Sequence, residues 1–130
     1  MKELKELEIL ILAHLKKRPT YSIRELYNLT GISTTTIQKL IKSLIKKDFI
    51  IEEGGGYKIE ISLPEIPKES NLTAKEIGFL MLFKHYINPK ETELNKTEIA
   101  KRLKLSYSTS NRRINSLIDK NILLQTIKIK

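Results

Sequence analysis

The sequence has no cysteine among its 130 residues, so disulfide staples and thiolate metal sites are excluded. No apolar run approaches the ~18 residues that cross a bilayer. The opening MKELKELEIL mixes Glu with Lys and has no small-residue cleavage site, so the expectation is a cytoplasmic chain without a membrane partner. Aromatic residues are only 6% and scattered, too few for a platform on which single-stranded bases could stack. The two histidines, His14 and His85, stand alone on different segments, where packing or surface roles are expected. With no Ser-His-Asp set, paired-carboxylate motif or metal-ligand spacing, the sequence predicts no enzyme, cofactor or metal site. It also shows no small-molecule ligand domain.

What the sequence has in excess is positive charge. Lys and Arg number 24 against 15 Asp and Glu, a formal net charge of +9. Such a balance favours a polyanionic partner, nucleic acid or an anionic membrane surface. Abundant Lys, Glu and Ile without Cys is also a composition found in thermophiles.

The hydrophobic pattern divides the chain into short elements. Leu4, Leu7, Ile9, Leu10, Ile11 and Leu15 keep a helical period that KKRPT ends. Ser22 and Glu25 have capping-box spacing and open a short helix that Gly31 closes. Ser33 caps a third helix with an apolar stripe of Ile37, Leu40, Ile41, Leu44 and Ile45. After Asp48 the period changes to two, and residues 49–53 and 57–63 flank Gly54, Gly55 and Gly56 as a hairpin. A proline-bearing linker, residues 64–72, follows. Thr73 with Glu76, Asn95 with Glu98, and Ser106 then open three more helices, and ILLQTIKIK reads as a closing strand.

Shifting the chain by 73 residues aligns 22–51 with its second half without a gap. Glu25 falls on Glu98, Leu26 on Ile99, Ser33 on Ser106 and Thr36 on Thr109, while Ile41, Ser43, Leu44 and Ile45 fall on Ile114, Ser116, Leu117 and Ile118. Agreement of caps, turn and core positions predicts one fold used twice, over residues 1–63 and 73–130.

Three helices followed by a hairpin, with a tight turn between the second and third, is a helix-turn-helix with a wing. The stretch SIRELYNLTGISTTTIQKLIKSLIKKDFII resembles MarR-, ArsR- and Lrp-type regulators in its Glu-Leu pair and Gly-Ile-Ser turn. NKTEIAKRLKLSYSTSNRRINSLIDKNILL resembles the same pattern and the winged helices of plasmid replication initiators. The resemblance implies a mainly α fold with small β wings, two tandem winged helix-turn-helix domains, and double-stranded DNA as partner. It implies recognition helices at about 33–47 and 106–120.

The residues themselves agree with that implication. Opposite the apolar stripe, the third helix carries Thr34, Thr35, Gln38, Lys39, Lys42 and Lys46 with no acidic residue. A lysine-rich face on an isolated helix is ordinarily only solvated. Here it is the face that a helix-turn-helix offers to the major groove. The second unit offers Ser108, Asn111, Arg112 and Asn115. Gln and Asn can read adenine and Arg can read guanine, whereas Lys mainly draws phosphates. The first unit thus reads as anchor and the second as base reader. Arg113, nearer the core edge, is expected to clamp a phosphate.

The three glycines are expected to supply the positive dihedrals of a tight turn. A phosphate-cradling loop is excluded, because no helix or Lys-Ser/Thr pair follows. Lys58 is the wing's only base, beside Glu52, Glu53 and Glu60, so a structural hairpin is as well supported as a DNA-touching one. The second unit lacks a glycine turn after Leu124, which predicts a truncated wing. Extra apolar residues on the first helix, Ile9 and Leu12, and the open edge of the last strand suggest a homodimer. The leading expectation is a transcription regulator. The alternatives are a plasmid or viral replication or partition factor, and a protein–protein adapter of the kind found in ESCRT-type and polymerase-associated assemblies.

Overall fold

The computed structural model describes residues 3–68, 71–87, 95–120 and 122. Within them the order is α1 (Glu6–Lys17), α2 (Ile23–Thr30), α3 (Thr34–Lys46), β1 (Ile51–Glu53), β2 (Gly56–Lys58), α4 (Ala74–Tyr86), α5 (Lys96–Leu103) and α6 (Tyr107–Asp119). The fold is mainly helical with one two-stranded antiparallel sheet among the described residues.

The helix starts are set by short polar side chains that satisfy otherwise unpaired amides. Ser22 and Thr73 accept from the amides of Glu25 and Glu76, whose carboxylates accept from the cap amides in return. Ser33, Asn95 and Ser106 accept in the same way from Thr36, Glu98 and Thr109. Gly31 ends α2 in the left-handed region at φ 75°, which turns the chain into α3. Lys104 takes that conformation after α5, at φ 55°, without glycine's freedom.

Helices α2 and α5, and likewise α3 and α6, have bounds 73 residues apart, whereas α1 and α4 start 68 apart. The difference is taken up between α4 and α5. One polar cluster recurs across both offsets. Glu8 of α1 accepts from Ser43 Oγ (2.6 Å) and Lys47 Nζ (2.8 Å), and Lys47 also donates to the Glu3 carbonyl (3.0 Å). Glu76 of α4 accepts from Ser116 Oγ and Lys120 Nζ (2.7 Å), and Lys120 donates to the Asn71 carbonyl (2.7 Å). Each cluster ties the C-terminal half of α3 or α6 to the first turn of the preceding long helix.

Helices α1 and α4 pack against each other over the largest helix–helix contact among the described elements. Ile9, Leu10, Ile11 and Leu12 are all shielded from solvent, as are Phe79, Leu80, Met81, Leu82 and Phe83. Helices apolar all round are core helices. Their backbones meet at Gly78, where a Cβ would lie 2.1 Å from the Glu6 carbonyl oxygen. Buried residues of both halves form one continuous cluster, with Leu63 and Ile66 of the connecting segment packed on it. The extra apolar girth of α1, expected to face a second copy, is therefore covered by α4 of the same chain.

The hairpin is shorter than the alternating pattern predicts, three residues a side, pairing Ile51 with Lys58 and Glu53 with Gly56. Gly54 (φ 58°) and Gly55 (φ 80°) form the two-residue turn, with the paired positive dihedrals that match strand twist. Gly56 does not share that role and lies in β2. A Cβ there would sit 2.8 Å from the Pro19 carbonyl, which accepts from the Tyr57 amide (3.2 Å). The third glycine thus lets the wing dock on the α1–α2 connection. The expected closing strand lies outside the described residues, apart from the buried Ile122.

Candidate nucleic-acid interface

The exposed face of α3 follows from where its apolar stripe goes. Ile37, Ile41 and Leu44 are buried, which turns Thr34, Thr35, Gln38, Lys39, Lys42 and Lys46 outward, all exposed. The row carries no carboxylate. Lys47, one residue past the helix, is instead drawn inward to Glu8. Burial pushes the Glu8 carboxyl up, but hydrogen bonds from Lys47, Ser43 and the Lys5 amide outweigh it and hold the group below the usual range. The inward lysine is neutralised by the fold, and the outward ones are left to solvent.

On α6 the same burial logic exposes Ser108, Arg112 and Asn115. Asn115 accepts from Lys96 Nζ at 3.3 Å, which adds a cation from α5 beside this face. Asn111 is only half-buried-to-solvent, and its Oδ1 is buried with no hydrogen-bond partner, unlike the exposed Gln38 that it matches in register. Asp119 stands where α3 has Lys46, so the end of α6 is less cationic.

Arg113 has a different role from the one expected of it. Its Nε donates to Glu6 Oε2 at 2.8 Å, and both side chains are largely buried. Leu40 holds the matching position in α3. The guanidinium pins α6 to α1 across the two halves and does not lie on the exposed row.

Sequence reasoning passed over Tyr107, the first residue of α6, which is 53% exposed. It fills the place of Thr34 in α3. The available signal was an aromatic right after the Ser106 cap, where the first unit has Thr34.

Lys58 is exposed and 3.3 Å from Glu60, so the wing's one base is shared with a carboxylate. A cleft of about 550 Å3 lies between the wing and the α1–α2 connection, but Glu52 and Glu53 line it, which disfavours phosphate. His14 and His85 are half-buried, and burial lowers both below the usual imidazole value. Among the described residues, no three His, Asp or Glu gather as a metal site, and no helix is long and apolar enough to cross a membrane.

Residues 4–51 and 91–123 match the family described as winged helix-turn-helix DNA-binding. These segments cover more than half of the chain, which belongs to that family. The first runs from α1 into β1, and the second takes in α5 and α6. No curated protein and no solved structure matches the chain.

Proposed function

We propose that the protein is a tandem winged helix-turn-helix regulator of transcription that binds double-stranded DNA sequence-specifically, with α3 and α6 as its recognition helices. Its units are residues 1–63 and 73–130, joined by 64–72. The observation that carries this reading is the outward row of α3, cationic and hydroxyl-bearing without a single carboxylate, on the element that this family presents to the major groove. Lys39, Lys42 and Lys46 act on phosphates. Gln38 and Arg112 meet base edges, with Thr34, Thr35, Ser108 and Asn115 at their sides and Tyr107 as an apolar contact. Asn111 contributes through whichever part of its amide reaches solvent. Arg113 is left out because Glu6 occupies it, and Lys58 because Glu60 shares it. A homodimer is no part of the proposal: α4 covers the apolar side of α1 that suggested one, and the last strand, the other basis for it, lies outside the described residues.

A salt-titrated binding assay on duplexes selected from a random library tests the reading. Affinity is expected to fall steeply with salt, and Lys42→Ala or Lys46→Ala to lower the slope by about one unit per lost phosphate contact. Arg112→Ala is expected to cost about 1–3 kcal/mol on the selected site and much less on random duplex. An adapter would bind duplex weakly and without preference, and that outcome would sink the proposal. Footprints at promoters rather than at replication origins would separate regulation from replication or partition.

A further inference from the structure

We propose that α1 and α4 lock the two helix-turn-helix units into one two-headed body, so that a single chain occupies a bipartite, non-palindromic duplex site. The inference rests on the DNA-binding reading above and adds the form of the target.

The coupling is concentrated at the start of α1. Glu6 and Glu8 are two residues apart, and so point to nearly opposite sides of the helix. Glu8 holds Ser43 and Lys47 at the end of α3, while Glu6 holds Arg113 in the middle of α6. Glu3 adds to both sides: its carbonyl accepts from Lys47, and its carboxylate lies 3.7 Å from Lys104 in the turn before α6. The Leu4 amide donates to the Tyr86 hydroxyl of α4 (3.3 Å). One turn of α1 therefore sits between the two recognition helices, backed by the α1–α4 contact with its backbone approach at Gly78.

This arrangement bounds the span of the two heads. Helix α1 packs on α3 at a helix–helix spacing of ~8–10 Å and reaches α6 through the Glu6–Arg113 ion pair, which keeps both recognition helices beside α1. The outward residues at the start of α3 lie up to ~20 Å farther along its axis, at 1.5 Å per residue. The two heads are thus close enough to fall on one short stretch of duplex.

The heads are also chemically unlike. The α3 row is Lys39, Lys42 and Lys46 with hydroxyls, whereas α6 offers Tyr107, Ser108 and Arg112 and ends at Asp119. Symmetry-related chains read palindromes because their helices are identical. Two different helices in a fixed body gain nothing from a palindrome and are matched by two different half-sites.

The test uses the full chain on a site selected from random duplexes. The expected result is one chain per duplex by analytical ultracentrifugation, with two protected segments on one short stretch. Inverting one segment, or inserting five base pairs between the two, is expected to lower affinity about 100-fold or more, because the second contact is no longer intramolecular. Lys42→Ala with Lys46→Ala should weaken protection of one segment, and Arg112→Ala that of the other. Two chains on a palindromic selected site, or a single protected segment, would overturn the two-headed body while leaving DNA binding intact. Absence of any duplex preference would overturn both.

Discussion

Ser110 puts a hydroxyl fully into the core of the second half, with no hydrogen-bond partner, where the first half has the buried Ile37. An unsatisfied buried hydroxyl costs about 1–3 kcal/mol. Ser110→Ala removes that cost and creates little cavity, so it should stabilise the chain by about 1 kcal/mol, a rise in melting temperature of about 4 °C. Calorimetry checks this, and a lower melting temperature would mean that the hydroxyl has a partner in solution. Tyr107 poses the opposite case, an apolar ring in solvent on the outward side of α6, where the proposed function places base contacts. Major-groove apolar contacts are made to the thymine methyl. Replacing thymine by deoxyuridine in the selected site should therefore weaken the wild-type chain about fourfold, the worth of one buried methyl at about 0.8 kcal/mol. Tyr107→Ala should be indifferent to that change. An equal response in both chains would remove Tyr107 from the reading surface.

At the scale of elements, Gly78 is the position where packing leaves no alternative. A Cβ there meets the Glu6 backbone rather than a flexible side chain, so α1 and α4 must move apart. Gly78→Ala is expected to cost about 2–3 kcal/mol in urea unfolding, despite alanine's better helix propensity. A gain in stability would show that the helices cross more loosely. The element list itself was legible in the sequence, because caps and turns are local: Ser22, Ser33, Thr73, Asn95 and Ser106 each mark a start by a bond to a residue three positions on. Long-range contacts were not legible. The apolar girth of α1 says that something covers it, but not whether that is α4 or a second chain. Gly54 and Gly55 fit the turn expected of them, whereas Gly56 answers to Pro19, far away in sequence. Of the candidate site residues, those set by helix phase, such as Lys39 and Lys42, emerge on the expected face. Arg113 does not, because its carboxylate partner lies in another helix 107 residues distant.

For the molecule as a whole, the twin clusters that tie α3 to α1 and α6 to α4 make stability depend on pH with a definite sign. Burial raises the Glu76 carboxyl, but hydrogen bonds from Lys120, Ser116 and Thr73 prevail and bring it to about 2. Glu8 is lowered in the same way by Lys47 and Ser43. A depressed carboxylate stabilises the fold fully above its unfolded value near 4.5, and that contribution is lost as pH falls toward the folded value. The half-buried His14 and His85 act earlier. Their lowered values mean that the unfolded chain takes up protons first, so stability begins to drop as pH falls below about 6.5. Unfolding free energy measured in urea should therefore be flat above neutrality, decline below about pH 6.5, and decline more steeply below about pH 4.5. Glu76→Gln should lower stability at pH 7 by about 1–3 kcal/mol, since it leaves Lys120 without its carboxylate, and should flatten the steeper limb. His14→Leu, which fills a half-buried site without a titrating group, should flatten the shallower one. Because the buried residues of both halves form one continuous core, the two declines are expected in a single cooperative transition. A steep limb unchanged by Glu76→Gln would show that other carboxylates set the acid limit. Two separate unfolding transitions would show that the α1–α4 contact does not couple the halves.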